Sequence, residues 1–237
     1  YELKEGARLG PGLKDDKESR MINRLVRWTD EGIEYEADPR QSEQLVRDLG
    51  MSGSKSVGTP GVKQTSEQIS MDRELSYEKQ RPYRGVAARS NYLSADRPDM
   101  QHAAKEVCRW MSTPTEAAPA ALKRIGRYLE GHGRLVYKYV FQEASMTDCY
   151  SDTDWAGCPR TRRSTSGGCL MLGKHLIKSW STTQGPISLS SGEAEFYGVV
   201  KASSVALGHQ AMVEDLGQKL EVRVWTDSTA TMGICGR

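Results

Sequence analysis

Apolar and polar residues alternate with a period of two in Arg24-Leu25-Val26-Arg27-Trp28 and again in Gly32-Ile33-Glu34-Tyr35-Glu36-Ala37. That period marks strands with one apolar and one charged face. The intervening Thr29-Asp30-Glu31-Gly32 predicts a hairpin turn. Asp38-Pro39 then opens a helix with Leu45, Val46 and Leu49 along one side and Gly50 as its stop. This strand-strand-helix unit, within residues 1–51, is too small to bury a core alone. From Ser52 to about Arg81 the periodicity fades into Ser, Gly, Lys, Thr, Gln and Glu, with turn chemistry at Thr59-Pro60-Gly61. Residues 52–82 are therefore expected to be a flexible linker.

Helical spacing returns at Tyr83, with Val86, Ala87, Ser90, Tyr92 and Leu93 in phase up to Asp96-Arg97-Pro98. A second helix over 100–111 aligns Ala103, Ala104, Val107, Cys108 and Met111, and a third over 116–129 aligns Ala121, Leu122, Ile125, Tyr128 and Leu129. Residues 83–143 thus predict a small, mainly helical region. From Cys149 the period becomes two again, in 149–152, 168–172 and 175–180. A long helix follows over about 191–216, with Phe196, Val199, Val200, Ala206, Leu207, Val213 and Leu216 expected to face a core. Ser190-Ser191 ahead of Glu193 is its cap. A fourth strand over 221–226 ends at Asp227, and a further helix starts at Ser228. Three strands, a helix and another strand predict an α/β or α+β domain on a mixed sheet over 144–237.

Composition narrows the classes. The 237 residues are 37% hydrophobic and 27% charged, which is foldable rather than disordered. The longest apolar runs fall far short of the roughly 20 residues that span a bilayer, so no membrane partner is expected. Lys plus Arg number 33 against 31 Asp plus Glu, and the net charge of +2 does not announce a nucleic acid. Such a partner has to be argued from local clusters. Five cysteines without a Cys-x-x-Cys pair exclude a zinc ribbon and disfavour a disulfide framework, which predicts an intracellular setting. Tyr1 opens a charged stretch rather than a signal peptide, and the chain closes inside a helix-like run at Arg237. It reads as a piece of a longer protein.

The candidate chemistry lies in three acids at element ends: Asp152 on the first strand of the last domain, Glu195 early on the long helix and Asp227 after the fourth strand. If the fourth strand lies beside the first, these acids converge. Clustered carboxylates repel one another unless a divalent cation neutralises them, and Mg²⁺ prefers oxygen ligands. Two such ions about 3.5–4 Å apart can clamp a phosphodiester. The other reading makes Asp152 and Asp227 strand-end turn residues and Glu195 an acid favoured at a helix N-terminus. Asp154 and Glu193 compete by position, but Glu193 and Glu195 lie about 200° apart around a helix, so only one can reach the sheet rim.

Tyr150-Ser-Asp-Thr-Asp-Trp-Ala-Gly157, Arg162-Arg-Ser-Thr-Ser-Gly-Gly168, Ser179-Trp-Ser181, Leu189-Ser-Ser-Gly-Glu-Ala-Glu-Phe-Tyr197 and Trp225-Thr-Asp-Ser228 occur in that order. Together they resemble the ribonuclease H region of copia-type retrotransposon Pol polyproteins. Tyr83-Arg-Gly85, Tyr92-Leu93, Arg97-Pro-Asp99, Met111-Ser-Thr-Pro-Thr115 and Leu122-Lys-Arg-Ile-Gly-Arg-Tyr-Leu129 resemble the thumb and connection at the end of that family's reverse transcriptase. Residues 1–51 resemble the preceding segment more loosely. The resemblance implies a C-terminally truncated ribonuclease H-like mixed sheet with packed helices over 144–237. It implies Asp152, Glu195 and Asp227 as catalytic and metal-holding acids, with Asp154 and Glu193 as neighbours. The family's fourth acid would lie downstream of this chain, and its polymerase Asp-Asp pair has no counterpart in Lys14-Asp15-Asp16-Lys17.

The implied activity is Mg²⁺-dependent hydrolysis of the RNA strand of RNA–DNA hybrids, with Mn²⁺ as a substitute and water as the nucleophile. The implied partners are an RNA–DNA hybrid or template–primer and the remainder of the Pol polyprotein. The implied location is the cytoplasm or a retroelement particle, with the nucleus as an alternative. A catalytically inactive nucleic-acid-binding remnant and another ribonuclease H-like nuclease remain the competing readings.

Arg160, Arg162 and Arg163, with Ser164, Thr165 and Ser166 as hydroxyl donors, would meet phosphates near the acids or form an ordinary charged turn. Lys105, Arg109, Lys123, Arg124 and Arg127 form a helical basic set that would line a template–primer groove or simply be solvated. Trp155 and Trp180 would stack on bases or sugars or, as tryptophans beside strand-like runs more often do, sit in the core. His175 and His209 lack partners in any motif.

Overall fold

In the computed structural model, which describes residues 6–236, the alternating runs form the expected hairpin. Tyr1 and Arg237 lie outside the described residues. Strand β1 (Glu18–Met21) pairs antiparallel with β2 (Arg24–Thr29), and β2 pairs with β3 (Gly32–Glu36) in a register that sets Thr29 opposite Gly32. Helix α1 (Pro39–Asp48) starts as the sequence predicts: the Asp38 carboxylate accepts the Arg40 N–H and Pro39 occupies the first turn. Gly50 follows the helix in the left-handed region at φ 65°.

The segment expected to be a flexible linker is more ordered than its composition suggests. It contains α2 (Ser66–Ser70), held by a reciprocal cap between Thr65 and Gln68, and the start of α3 (Tyr77–Ser94). Pro82, which breaks the sequence periodicity, lies inside α3, so the helix begins six residues before Tyr83. A 3₁₀ turn (Pro98–Met100), α4 (Gln101–Cys108) and α5 (Ala118–Gly131) follow. Residues 53–59 run along α5. The Gly53 N–H donates to Glu130, Arg127 donates to the Lys55 carbonyl and Arg124 donates to Thr59 Oγ1.

Residues 83–143 are mainly helical as expected, and strand β4 (Val136–Val140) adds to them a strand that the sequence pattern does not predict. It pairs antiparallel with β3 and completes a sheet in the order β1-β2-β3-β4. Residues 1–51 and 83–143 are therefore not separate segments. Their described parts share one unit, 6–63 with 72–141, and one core in which Leu45, Ala87, Val107, Leu122, Ile125 and Leu129 are buried. Each buried Leu or Ile contributes roughly 1.5–3 kcal/mol. Glu36, at a position read as the charged face of its strand, is 1% exposed. Arg134 and Arg27 reach it at 2.8 and 2.9 Å, and they hold its carboxyl below the usual range against the opposing effect of burial.

The second unit takes in residues 64–71 and 142–236. Its strands β5 (Met146–Asp154), β6 (Thr165–Leu172), β7 (His175–Thr183) and β8 (Glu221–Trp225) form a mixed sheet in the order β7-β6-β5-β8. Only the β5–β8 pair is parallel. Helices α6 (Ser191–Asp215) and α7 (Thr229–Cys235) complete it. The described residues thus make a mixed α+β chain with two sheets and seven α-helices, none long and apolar enough to cross a membrane.

On helix α6, Val199 and Ala206 are buried as expected, together with Ala194, Gly198, Ala202 and His209, while Val200, Leu207 and Leu216, also expected in the core, are exposed. Small side chains one turn apart let the helix lie close to β5. The Cys149 thiol donates to the Ala202 carbonyl at 3.4 Å, and burial pushes that thiol up to about 11.

Candidate active site

Parallel pairing of β5 and β8 brings two acids together. Tyr150 is the Cα partner of Trp225, and Asp152 and Asp227 each lie two residues farther along their segments. The pairing is reinforced on the same face. Arg223 donates to Asp148 from Nε and Nη2 at 2.8 and 3.0 Å, Trp225 Nε1 donates to Asp148 at 2.8 Å, and the Tyr150 and Trp225 rings stack. Glu195 arrives from α6, just past its first turn. One carboxylate oxygen from each of Asp152, Glu195 and Asp227 lies within 4.8 Å of the other two.

Asp152 and Asp227 are exposed and Glu195 is half-buried. The Thr153 N–H donates to Asp152 Oδ1 at 2.8 Å and to Glu195 Oε1 at 3.1 Å, tying the strand acid to the helix acid. Glu195 Oε2 is buried with no protein partner. Burial, then the negative charges of Asp152 and Asp227, push the Glu195 carboxyl above its ordinary range, against the Thr153 N–H. Three hard carboxylate donors, one of them carrying a buried unpartnered oxygen, suit a divalent cation such as Mg²⁺ or Mn²⁺.

The competing acids have other work. Glu193 turns back over the helix start, where its Oε2 accepts the Leu189 N–H at 2.7 Å and its own N–H donates to Ser190 Oγ. Asp154 ends β5 with its carboxylate over Gly157, where a Cβ would overlap it.

The approach of α6 to β5 depends on Gly198, one turn after Glu195. A Cβ there would fall 2.6 Å from Thr153 Oγ1 and 2.9 Å from Ser151 Oγ. The signal available in sequence is a glycine inside a long helix with alanines four residues to either side. Gly208 on the same helix has open space at its Cβ position. Gly208→Ala is therefore expected to stabilise the chain by roughly 0.5–1 kcal/mol, the usual gain in a helix. Gly198→Ala is expected to destabilise it by about 1–3 kcal/mol through overpacking. Urea denaturation of the two variants checks the opposite signs.

The turn joining β5 to β6 lies at the same sheet end as the acids, since Asp152 faces Gly167 and Asp154 faces Thr165. Arg160, Arg162 and Arg163 in it are exposed, and Arg162 adopts φ 54°. The hydroxyls expected beside them are internal. Ser164 is 0% exposed and accepts the Ala156 N–H, Thr165 is buried, and buried Ser166 accepts from Gln184. Ser164 is thus a fold residue rather than a phosphate contact.

The helical basic set is largely engaged within its own unit. Lys105 and Arg109 both pair with Glu106, Arg124 and Arg127 bind residues 53–59, and Lys123 is exposed. Trp180 is buried as expected, whereas Trp155 is 46% exposed and donates its indole N–H to the Ser188 carbonyl. His209, on the buried face of α6, lies against Thr147, and burial lowers its pKa.

The chain is similar to several known proteins. An uncharacterized mitochondrial protein of Arabidopsis thaliana, AtMg00810, is 35% identical over 161 residues, which cover 66% of this chain and 64% of that protein. The retrovirus-related Pol polyproteins from the Arabidopsis transposons RE2 and RE1 are 32% and 34% identical over 83% and 74% of this chain. The chain belongs to the retrovirus-related Pol polyproteins of copia-type retrotransposons. This Pol chain spans 64% of AtMg00810 and 14% and 12% of RE2 and RE1. No protein-family model matches it.

Proposed function

We propose that the second unit of this Pol chain is a ribonuclease H-like domain that hydrolyses the RNA strand of RNA–DNA hybrids with Mg²⁺, Mn²⁺ serving as a substitute. It would act as one segment of a larger polyprotein. The observation that carries this reading is the meeting of one carboxylate oxygen each of Asp152, Glu195 and Asp227 within 4.8 Å, with Glu195 also carrying a buried, unpartnered oxygen. The sheet order β7-β6-β5-β8, with one parallel pair and a helix packed on it, is compatible with such a fold. The ordered motifs and the Pol relatives support it from the sequence side.

The three acids would hold the cation, which when bound supplies charge neutralisation and Lewis acidity at the scissile phosphodiester. The chain's own groups account for the rest. The Thr153 N–H orients Asp152 against Glu195, and the parallel β5–β8 pair places Asp227. Arg160, Arg162 and Arg163 present cations at the same sheet end for the phosphates of a duplex read by shape and 2′-hydroxyls. The first unit, with exposed Lys123, would belong to the C-terminal region of the reverse transcriptase and serve the template–primer.

The test is incubation of the chain with a labelled RNA–DNA hybrid, a matched DNA duplex and single-stranded RNA in Mn²⁺ or Mg²⁺. Cleavage confined to the hybrid's RNA strand and abolished by chelator is the expected result. Equal cleavage of duplex DNA would move the site to another nuclease class. No cleavage by folded chain that still binds the hybrid would leave the inactive remnant.

A further inference from the structure

Gln184 follows β7 in the turn that leads to α6 and is 7% exposed. Its carboxamide is fully engaged. Nε2 donates to Ser166 Oγ at 2.9 Å and to the Ala194 carbonyl at 2.8 Å, while Oε1 accepts from Ser188 Oγ at 3.2 Å. Its backbone N–H donates to the Ser164 carbonyl at 2.8 Å. Both Nε2 partners adjoin the acids. Ser166 is the Cα partner of Thr153, whose N–H bonds Asp152 and Glu195, and Ala194 is the peptide neighbour of Glu195. A single side chain thus spans the strand that faces Asp152 and Thr153 and the helical turn that carries Glu195.

We propose that Gln184 is a positioning residue for the acid cluster: through Ser166 and Ala194 it fixes the Glu195 carboxylate against the Thr153 N–H and Asp152, and so sets the cluster's affinity for a divalent cation. The affinity part rests on the cation-holding reading above. The chemistry requires an amide. The Ala194 carbonyl can only accept, so the group beneath it must donate, and the Ser188 hydroxyl needs an acceptor on the same side chain. Ionised glutamate retains the shape but only accepts, so the comparison is made at a pH well above the carboxylate range. The Ser166 hydroxyl can rotate to donate to it, whereas the Ala194 carbonyl cannot, so Gln184→Glu sets two acceptors against each other at the start of α6. Gln184→Leu keeps the volume and removes every bond.

The test titrates the full chain and both variants with Mn²⁺ and follows backbone amide exchange in cation-free protein. Gln184→Leu is expected to weaken Mn²⁺ binding by about 10- to 100-fold, the range for residues that orient metal ligands, and Gln184→Glu to weaken it further. The Thr153 amide is expected to exchange at least about tenfold faster in both, with the Cys149 amide in the middle of β5 unchanged, as local opening requires. Variants that bind Mn²⁺ as the wild type does, or that leave Thr153 exchange unchanged, overturn the proposal. Equal acceleration at Thr153 and Cys149 also overturns it, because Gln184 would then serve general stability. A wild-type chain that takes up no Mn²⁺ overturns the cation reading instead, and Thr153 exchange alone then decides the positioning.

Discussion

Asp152→Asn is expected to end cation-dependent cleavage of the hybrid's RNA strand while making the cation-free protein harder to unfold. Both effects have one source. Asp152 is a negative charge beside Glu195 and Asp227, and its charge helps push the Glu195 carboxyl upward. Replacing it with a neutral amide relieves that repulsion, so in chelator the variant should melt above the wild type. The same change removes an oxygen donor that the cation needs. A divalent cation contributes several kcal/mol to transition-state charge stabilisation. Each ~1.4 kcal/mol is tenfold in rate, so the loss should be about 10³-fold or more. Thermal melts report the binding side. A wild-type chain at a cation concentration 100 times the dissociation constant gains about 2.7 kcal/mol, and the variant should gain almost none. Unimpaired cleavage in Asp152→Asn would refute this assignment of the site.

The motif-bearing strands and helices of the second unit were legible because each is a local pattern. Period-two runs foretold the β5, β6 and β7 strands, and the Ser190 cap marked the start of α6. The three acids were legible as a group once a β5–β8 pair was supposed, and the structure brings all three together. What escaped is non-local. Strand β4 finds its partner β3 about a hundred residues earlier in the chain, so it carries no local sign that it completes a sheet. The face of α6 is only partly legible: hydropathy picks Val199 and Ala206, which are buried, but also Val200 and Leu207, which are exposed, while close packing selects Ala194, Gly198 and Ala202. Ser164 looked like a polar turn residue, yet its hydroxyl satisfies a buried N–H that only the folded turn creates. Residues 52–82 read as a linker because their hydrogen bonds run to α5, which sequence periodicity cannot register.

The largest stability effect is expected away from the acids, at Arg97. This guanidinium is 1% exposed in a unit that carries none of the cluster. It bonds both oxygens of Asp99, at 2.9 and 2.7 Å, and caps the His132 and Gly133 carbonyls beyond the end of α5 at 2.7 and 3.2 Å. Tyr128 adds a hydroxyl to Asp99 at 2.9 Å. Arg97→Leu would leave Asp99 without its guanidinium, its side chain 24% exposed, and two carbonyls uncapped; a hydrogen bond to a charged group is worth about 1.5–3 kcal/mol, and Arg97 makes several at once. The dependence on pH separates this cause from lost packing. Burial alone would raise the Asp99 carboxyl, but Arg97 and Tyr128 hold it below the usual range. In the wild type that contribution is complete above the unfolded value near pH ~3.9 and disappears as pH falls through the lower folded value. Arg97→Leu removes the cation that does most to hold the Asp99 carboxyl down, so the variant has less of this stabilisation to lose as pH falls. The gap between variant and wild type should therefore narrow on acidification, and urea denaturation between pH 7 and pH 3 would show it. A gap that stays constant across that range would assign the loss to packing and remove the charge pair from the account.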